Sequence, residues 1–453
     1  MYISLHKNIS IFAKIDLKTK TPSKKHFMIK SVIIYQFLFN LTIEMSRGNM
    51  AQMKEEMLNH LKYLCESLET RRVGMHGNLK ASNYLKKVYE AMGLKVMLQE
   101  VPCKSWSSSI EELTIGRKKL IGAANCFSPS CDITAPFVPL CNLKELEKAD
   151  LSKKIAVFYG ELSSKELVLQ EASYQPERDK KIKELLEEKQ PAGIIAIYPY
   201  FGRNIRVIEE DIGIPSFTVP PETGLILLEN LGKNIHMKIE SKKTDSVSYN
   251  VIARKDNSSQ KRIIFVAHYD TKIDTPGAMD NATGTVALLT LASLLLQVEL
   301  DCNLEFASVT AHEYRTGVHG SEAHVEKIAE SSEENLLVIN IDGVGQKLGT
   351  NSICVGGGSK ELKKELEKIV EKYPGIIWVP LWYESDHSPY LWKEIPVVAL
   401  DSMGIKSLHH HESDSLIWIS LQKIEEIVSV VKEIVLAIHD KNSAWMRASK
   451  KVS

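Results

Sequence analysis

Four separate places in the 453-residue sequence set an imidazole or a carboxylate beyond a short apolar run. His268-Tyr269-Asp270 follows Ile263–Ala267, His312-Glu313 follows Leu304–Thr310, Asp342 follows Leu336–Ile341, and His409-His410-His411 lies beyond Pro396–Leu400. Nitrogen and carboxylate-oxygen donors without thiolate are the set a catalytic zinc centre uses, with positions left for water and substrate. A fifth group, Asp280, lies in Gly277-Ala278-Met279-Asp280-Asn281-Ala282-Thr283-Gly284, a tight turn opening an apolar helix at Thr285–Val298. Backbone amides at a helix start can orient such a carboxylate, which could then bridge two metal ions. Metals about 3.5–4 Å apart lower the pKa of a bound water towards about 7 and polarise a carbonyl together, which is the chemistry of peptide hydrolysis. Any one of these histidines, taken alone, is more often a core or surface residue with a satisfied hydrogen bond. It is the convergence of five ligand positions in order that argues for a site.

Strands and helices must bring these residues together. From Val251 onward, near-continuous apolar runs alternate with helices of ten or more residues, as expected of strands buried on both faces of a doubly wound, mixed and largely parallel α/β sheet flanked by helices. Ligands in such sheets gather beyond the carboxyl ends of the strands, where the histidines and acids stand. Upstream, Met53–Met92 has helical spacing around the polar break Arg71–Asn78, and Leu94–Val101 alternates as a strand. From Cys103 to about Ser241 the texture differs: short apolar runs at Ile155–Phe158, Gly193–Ile197 and Ile214–Val219, a charged helix at Glu177–Lys189 and a helix at Thr223–Leu231 suggest a smaller α+β unit. The expected organisation is therefore a catalytic domain from residues 51–103 and 245–440, interrupted by an inserted domain over 104–244. An N-terminal extension over 1–50 is expected to be disordered or to precede the true start at Met28, Met45 or Met50, and 441–453 form a tail.

Composition narrows the function classes. Lys+Arg and Asp+Glu both number 57, so no overall field favours nucleic acid or an anionic membrane. Hydrophobic content of 44% and charged content of 25% are ordinary globular values. The most membrane-like stretch near the start, Ser31–Ile43, is broken by Gln36 and Asn40 and falls short of the roughly 20 residues a spanning helix needs. Seven scattered cysteines, never spaced Cys-x-x-Cys, point to a reducing cytoplasm. Secretion is the minor alternative, because lysines precede the apolar run but no small-x-small cleavage pattern follows it.

His268-x-Asp270, Gly277–Gly284, His312-Glu313, Asn340–Gly343, Ser385-Asp386-His387 and His410-x3-Asp414 together resemble the di-zinc aminopeptidase family, metallopeptidase family twenty-eight, in order and spacing. The resemblance runs from about Met53 to Ile438, includes the opening segment Arg71–Leu85, and likens the middle unit to the protease-associated domain often inserted in such enzymes. It implies a zinc-peptidase fold and two Zn2+ per chain, with Co2+ or Mn2+ as substitutes. By the same resemblance His268 and Asp342 hold one ion, Glu313 and a late histidine hold the other, Asp280 bridges them, and Asp270 orients His268. Peptides are the implied substrates, and oligomeric state is left open.

One position departs from the family pattern, which places two adjacent acids where this chain has His312-Glu313. A neutral imidazole, with an unperturbed pKa of about 6.5, can take a proton from an activated water. The alternatives are Glu313 as base with a rearranged metal sphere, or a homologue that keeps the metal without turnover. The His-x-x-x-Asp spacing selects His410, with His409 and His411 as alternatives. Asp386-His387 either border the substrate pocket, favouring a peptide's ammonium end, or cap a helix at Ser388–Lys393. Trp378, Trp382 and Tyr383 are expected in the core before a pocket, and Lys360–Lys372 as a solvated helix. Competing activities on the same fold are a glutaminyl cyclase with one zinc or a carboxypeptidase for acidic dipeptides, and a non-catalytic scaffold stands further off.

Overall fold

Buried strands are read from uninterrupted runs of apolar residues, and the runs after residue 250 form a set of adjacent strands. The computed structural model describes residues 50–68, 70–169, 175–200, 206–208, 210–314 and 318–448. Apart from Met50, the expected N-terminal extension lies outside the described residues. Residues 50–56, which fall in a separate unit, are helical, and the remainder from Met57 forms one unit.

In that unit helix α1 (His76–Ala91) leads into β1 (Lys95–Ile115), followed by the short β2 (Lys118–Lys119) and β3 (Ala123–Ala124). The chain continues through β4 (Cys131–Leu140), α2 (Leu143–Lys148), β5 (Ile155–Phe158), α3 (Glu177–Lys189), β6 (Gly193–Ile197), β7 (Ser216–Val219) and α4 (Pro221–Leu228) to β8 (Asn234–Lys255). Then come β9 (Lys261–His268), α5 (Thr283–Leu295), β10 (Asn303–Val309), α6 (Gly320–Ala329), β11 (Glu334–Ile341), β12 (Thr350–Gly356) and α7 (Lys360–Val370). The last elements are β13 (Ile376–Trp378), α8 (Ser388–Trp392), β14 (Val397–Met403), α9 (Leu421–Ile438) and α10 (Ser443–Met446).

The strands after β8 lie in the order β13-β12-β14-β11-β9-β10-β8. Pairing is parallel between β9 and β10, β9 and β11, β11 and β14, and β12 and β13, and antiparallel elsewhere in this set. The sheet is thus mixed, mostly parallel and open, with helices on both faces. On one face Phe265 and Phe306 stack at 4.8 Å beneath Tyr89 of α1. On the other, Ile252, Ile264, Val266, Ala307 and Val338 pack against Val325 and Ile328 of α6 and Tyr390 of α8. The apolar stretch Ala278–Leu295 meets a membrane-helix criterion of length and hydropathy, yet 83% of it is buried inside the protein, which makes it a core helix.

β1 and β8 carry the chain out of this sheet and back. They pair antiparallel from Lys95↔Arg254 to Ile115↔Ile235, and β8 is shared: its end at Val251–Lys255 joins β10, its start at Asn234–Ile239 joins β4. Beyond β4 a second set of strands, β4-β5-β6-β7, pairs in parallel and is closed by β3. The boundary expected at 103/104 and 244/245 therefore falls inside continuous strands, at Cys103↔Ser246 and Lys104↔Asp245. The strand read as ending at Val101 runs on because Trp106, Leu113 and Ile115 keep turning apolar side chains into a core. β5, β6 and α3 have the bounds read from the sequence, whereas the helix expected at Thr223 begins at Pro221, proline being suited to a first helical position.

Candidate metal centre

The ligand-type side chains converge because each is delivered by a strand end or by a turn pinned to one. Arg71 is almost fully buried and donates four hydrogen bonds to carbonyls: Nε to Tyr269 (2.7 Å), Nη1 to Leu64 (2.7 Å) and Pro276 (2.8 Å), and Nη2 to Gly277 (2.8 Å). Its rigid planar donor set fixes the loop between β9 and the Asp280 turn. Asp414 accepts from the backbone amides of Met279 and Asp280 at 2.8 and 3.1 Å. Asn281 ties the turn to the end of β11, donating to Ile341 O at 2.9 Å while its Oδ1 accepts from the Gly284 and Gly343 amides. At Gly284 an added Cβ would meet Ile341 O at 2.2 Å, so the start of α5 approaches β11 as only glycine permits.

Asp280 stands at the centre with its two oxygens turned to different partners. Oδ1 lies 3.2 Å from His268 Nε2, which is itself 3.3 Å from Asp342 Oδ1. Oδ2 lies 3.3 Å from His410 Nε2, which is 3.2 Å from Glu313 Oε2. Asp280 thus links the His268–Asp342 pair to the Glu313–His410 pair; the sets whose ligand atoms all lie within 4.8 Å of one another are His268–Asp280–Glu313 and His268–His312–Asp342, with His312–His319–Asp386 beside them. His409 Nδ1 approaches the same Asp280 oxygen at 3.5 Å without a second carboxylate. The His411 ring accepts from the Ser413 amide instead. His410 and Ala311, the residue before His312, adopt left-handed backbone with φ of 59° and 56°, conformations that non-glycine residues hold only where the surroundings enforce them.

The electrostatics are those of a cluster drawn together by opposite charge. Burial alone would lower the His268 pKa, but Asp342, Asp270 and Asp280 hold it well above the usual value. Burial would likewise lower His410, and Glu166 and Glu313 raise it well above. Asp280 is held well below the carboxylate range, its burial outweighed by the three histidines. Burial pushes Asp414 up to about 7, and burial with the neighbouring Asp342 does the same to Asp401. Glu313 Oε1 is buried with no hydrogen-bond partner, an expensive state for a carboxylate oxygen unless a cation faces it. The donor set, the shared carboxylate and this orphaned oxygen fit a metal centre.

Asp270 was expected to orient His268. The carboxylate is 3.7 Å from His268 Nδ1, whereas the Asp270 carbonyl is nearer at 3.3 Å. Its oxygens receive the amides of His312 (3.3 Å) and Glu313 (3.0 Å), so Asp270 locks the end of β9 to the turn after β10. Ser385 donates to Asp342 Oδ2 at 2.5 Å and accepts from Asn340 at 2.9 Å, fixing the Asp342 carboxylate.

Asp386 and His387 differ from both roles expected of them. Both are fully buried and outside the lining of the central cavity, and neither caps α8 with its side chain. Asp386 Oδ1 lies 3.2 Å from His312 Nδ1 and 3.7 Å from His319 Nδ1. Burial would raise its pKa, but the His312 and His268 charges keep it well below the usual range. His387 Nε2 pairs with the Trp382 carbonyl at 2.7 Å, holding the loop before α8. His312 stacks on His268 with ring centroids 4.0 Å apart, and burial and His268, which lower its pKa, are outweighed by Asp386.

A cavity of about 320 Å³ opens over the centre, lined by Asp280, His312, Glu313, Asp342, His409 and His410. The rest of its wall combines the acids Glu166, Glu210, Glu384 and Asp401 and the cation Lys272 with the apolar Leu167, Val168 and Val207. Trp382 also lines it, while Trp378 and Tyr383 do not. Glu166, Lys272, Asp401 and His319 were not singled out from the sequence. Asp401 stood in view of the strand-end rule, one residue beyond Pro396–Leu400, but the others depend on packing that no local pattern announces.

Residues 250–435 match the model of peptidase family M28. Aminopeptidase YwaD of Bacillus subtilis (strain 168) is 32% identical over 238 residues, 49% of this chain and 51% of that protein. Leucine aminopeptidase 2 of Arthroderma otae is 26% identical over 179 residues, 37% of this chain and 36% of that protein. The chain thus spans about a third to a half the length of these curated relatives. Among solved structures, BSAP, a zinc aminopeptidase from Bacillus subtilis, superposes with a TM-score of 0.69 at 21% identity, covering 88% of this chain and 96% of that one. The aminopeptidase from Aneurinibacillus sp. strain AM-1 gives 0.66 at 21% identity, covering 88% and 95%. At that identity the likeness establishes the fold alone, shared over 88% of this chain.

Proposed function

We propose that this chain, which belongs to peptidase family M28 through residues 250–435, is an aminopeptidase that releases the N-terminal residue of peptides at a site holding two zinc ions. One observation carries the reading: Asp280 turns one oxygen to the His268–Asp342 pair and the other to the Glu313–His410 pair. The activities named for the aligned relatives, aminopeptidase and leucine aminopeptidase, support it. When bound, the metal pair supplies an acidified water and polarises the scissile carbonyl.

His268 and Asp342 would hold one ion, Glu313 and His410 the other, and Asp280 both. His312 takes the place of the general base. Its Nδ1 lies 3.2 Å from the Asp386 carboxylate, whose negative charge favours a proton on that nitrogen and leaves Nε2 to accept one from the attacking water and return it to the leaving amine. The acid-rich wall, with Glu210, Glu384 and Asp401, suits the free ammonium of a peptide and disfavours a second carboxylate. A cavity of this size accommodates a terminal residue rather than the middle of a folded chain. None of the seven cysteines is in a disulfide, which supports a reducing compartment such as the cytoplasm.

The test is stripping with chelator, reloading with zinc or cobalt, and assay against a panel of aminoacyl p-nitroanilides with N-acetylated counterparts. Metal-dependent turnover restricted to free amino termini is expected, with two zinc ions per chain by elemental analysis. One ion would point to a glutaminyl cyclase, and a loaded protein that hydrolyses none of the panel would end the reading. His312→Gln should lower kcat by about 10²–10⁴-fold while zinc content stays at the wild-type value.

A further inference from the structure

Glu166 belongs to the segment between β1 and β8, far in sequence from every ligand-type residue, yet its Oε1 lies 2.7 Å from His410 Nδ1. The other oxygen lies 3.6 Å from Lys272 Nζ. Its position is set by the backbone around it. Leu167 and Leu169 are buried among Leu140, Phe158, Leu162 and Ile182, a core made wholly of that segment. The amide of Leu167 donates to Val207 O at 2.9 Å, that of Val168 to Asp179 Oδ2 at 3.1 Å, and that of Leu169 to Glu210 Oε2 at 2.5 Å. Glu166 is thus held out from a rigid ledge towards the catalytic sheet.

An imidazole that binds a metal through one nitrogen commonly donates its other N–H to a carboxylate or carbonyl, which fixes the tautomer and the ring plane. His268 has such a partner within its own loop, the Asp270 carbonyl. His410 finds its partner in the other half of the molecule. With Nδ1–H donated to Glu166, Nε2 presents its lone pair where Asp280 Oδ2 and Glu313 Oε2 converge. We propose that Glu166 is a positioning residue for the metal centre: the segment between β1 and β8 completes the Asp280–Glu313–His410 site by orienting His410. The proposal rests on the two-metal reading above.

Zinc affinity decides it, measured by competition with a chromophoric chelator on the full chain, together with the melting temperature of the metal-free protein. Wild type should take two ions. Glu166→Ala should bind one of them about 10–100-fold more weakly and the other as wild type, and Glu166→Gln, which keeps an acceptor without the charge, should fall between. Asp211→Asn serves as the control, since it removes ion pairs with Lys104 and Lys243 on the β1–β8 pair without touching His410. Both its affinities should match wild type. Unchanged affinities in Glu166→Ala would overturn the proposal, as would an equal loss in Asp211→Asn, which would mean general loosening. A wild type that takes no zinc would instead bring down the two-metal reading, and the proposal with it.

Discussion

At the scale of single residues, His312 stands, in the proposed function, where the family resemblance implies an acid, which changes what the surroundings must provide. A carboxylate base needs no tautomer control; an imidazole does, because only one nitrogen can serve. Asp386 answers that need from the buried side, 3.2 Å from Nδ1. Its charge also raises the His312 pKa against burial and against His268. The sign of the consequence follows: a base works only when deprotonated, so a raised pKa sets the acidic limb of the rate profile higher than an isolated imidazole would. Asp386→Asn should therefore lower kcat by about 10–100-fold and move that limb to lower pH, with zinc content unchanged. A pH series of kcat/KM on wild type and variant checks it; an unmoved limb would mean that His312 is not the titrating base. Four of the ligand-type residues were legible because they stand at a strand end or helix start, where local pattern and topology coincide; His410, in the turn after β14, was picked out by its spacing to Asp414. Glu166 and Lys272 were not, since nothing near them in sequence distinguishes them from solvated charges. Asp386 was noticed but misplaced, because sequence cannot tell a buried wall from the pocket it backs.

At the scale of elements, the long apolar runs were readable and the short or polar-studded ones were not. β9, β11 and β14 each contain an unbroken buried apolar stretch, Ile263–Ala267, Leu336–Ile339 and Val397–Leu400, whereas β12 opens on Thr350, Asn351 and Ser352, and β13 spans only Ile376–Trp378. The central strands also hide charge that no periodicity reveals. Glu305 of β10 is buried between Arg262 of β9, at 2.9 Å, and His324 of α6, at 2.9 Å, with Arg254 of β8 at 3.4 Å. Burial would raise its pKa, but the hydrogen bond with His324 and the charges of Arg262 and Arg254 bring it down to about 2 from an ordinary 4.5. A depressed carboxylate contributes stability that is present above the unfolded value and is lost as pH falls through the folded one. Glu305→Gln, which leaves Arg262 with Glu333 at 3.3 Å as its remaining carboxylate, should cost about 1–3 kcal/mol near neutral pH. Urea midpoints should show that gap closing between about pH 4.5 and pH 2, where the wild-type side chain is itself neutral. A gap independent of pH would show that packing, not charge, holds the three strands at this point.

At the scale of the whole molecule, an inserted unit read from composition was expected to be separable, because a change of texture is the usual mark of a domain boundary. The texture does change, but the junction is a pair of continuous strands, and the apolar packing crosses it. Val73, Ala311 and Tyr314, from beside the catalytic turn, share one buried cluster with Phe127, Ile195, Phe217 and Val219 of the intervening segment. Tyr314 also accepts a hydrogen bond from the Ile273 amide at 2.5 Å, so the cluster reaches the loop that carries Lys272. Removing the segment would expose this apolar surface, and separating it by a hinge would break the long β1–β8 ladder. The two halves should consequently unfold together: urea denaturation of the metal-free protein should give one transition, coincident by far-UV circular dichroism and by the fluorescence of a variant keeping only Trp106, which is buried in the β1–β8 region. Separate midpoints for the two signals would identify the segment as an independent domain. In that event Glu166 would reach His410 only in a docked state, and zinc affinity would fall with urea ahead of the loss of the catalytic sheet.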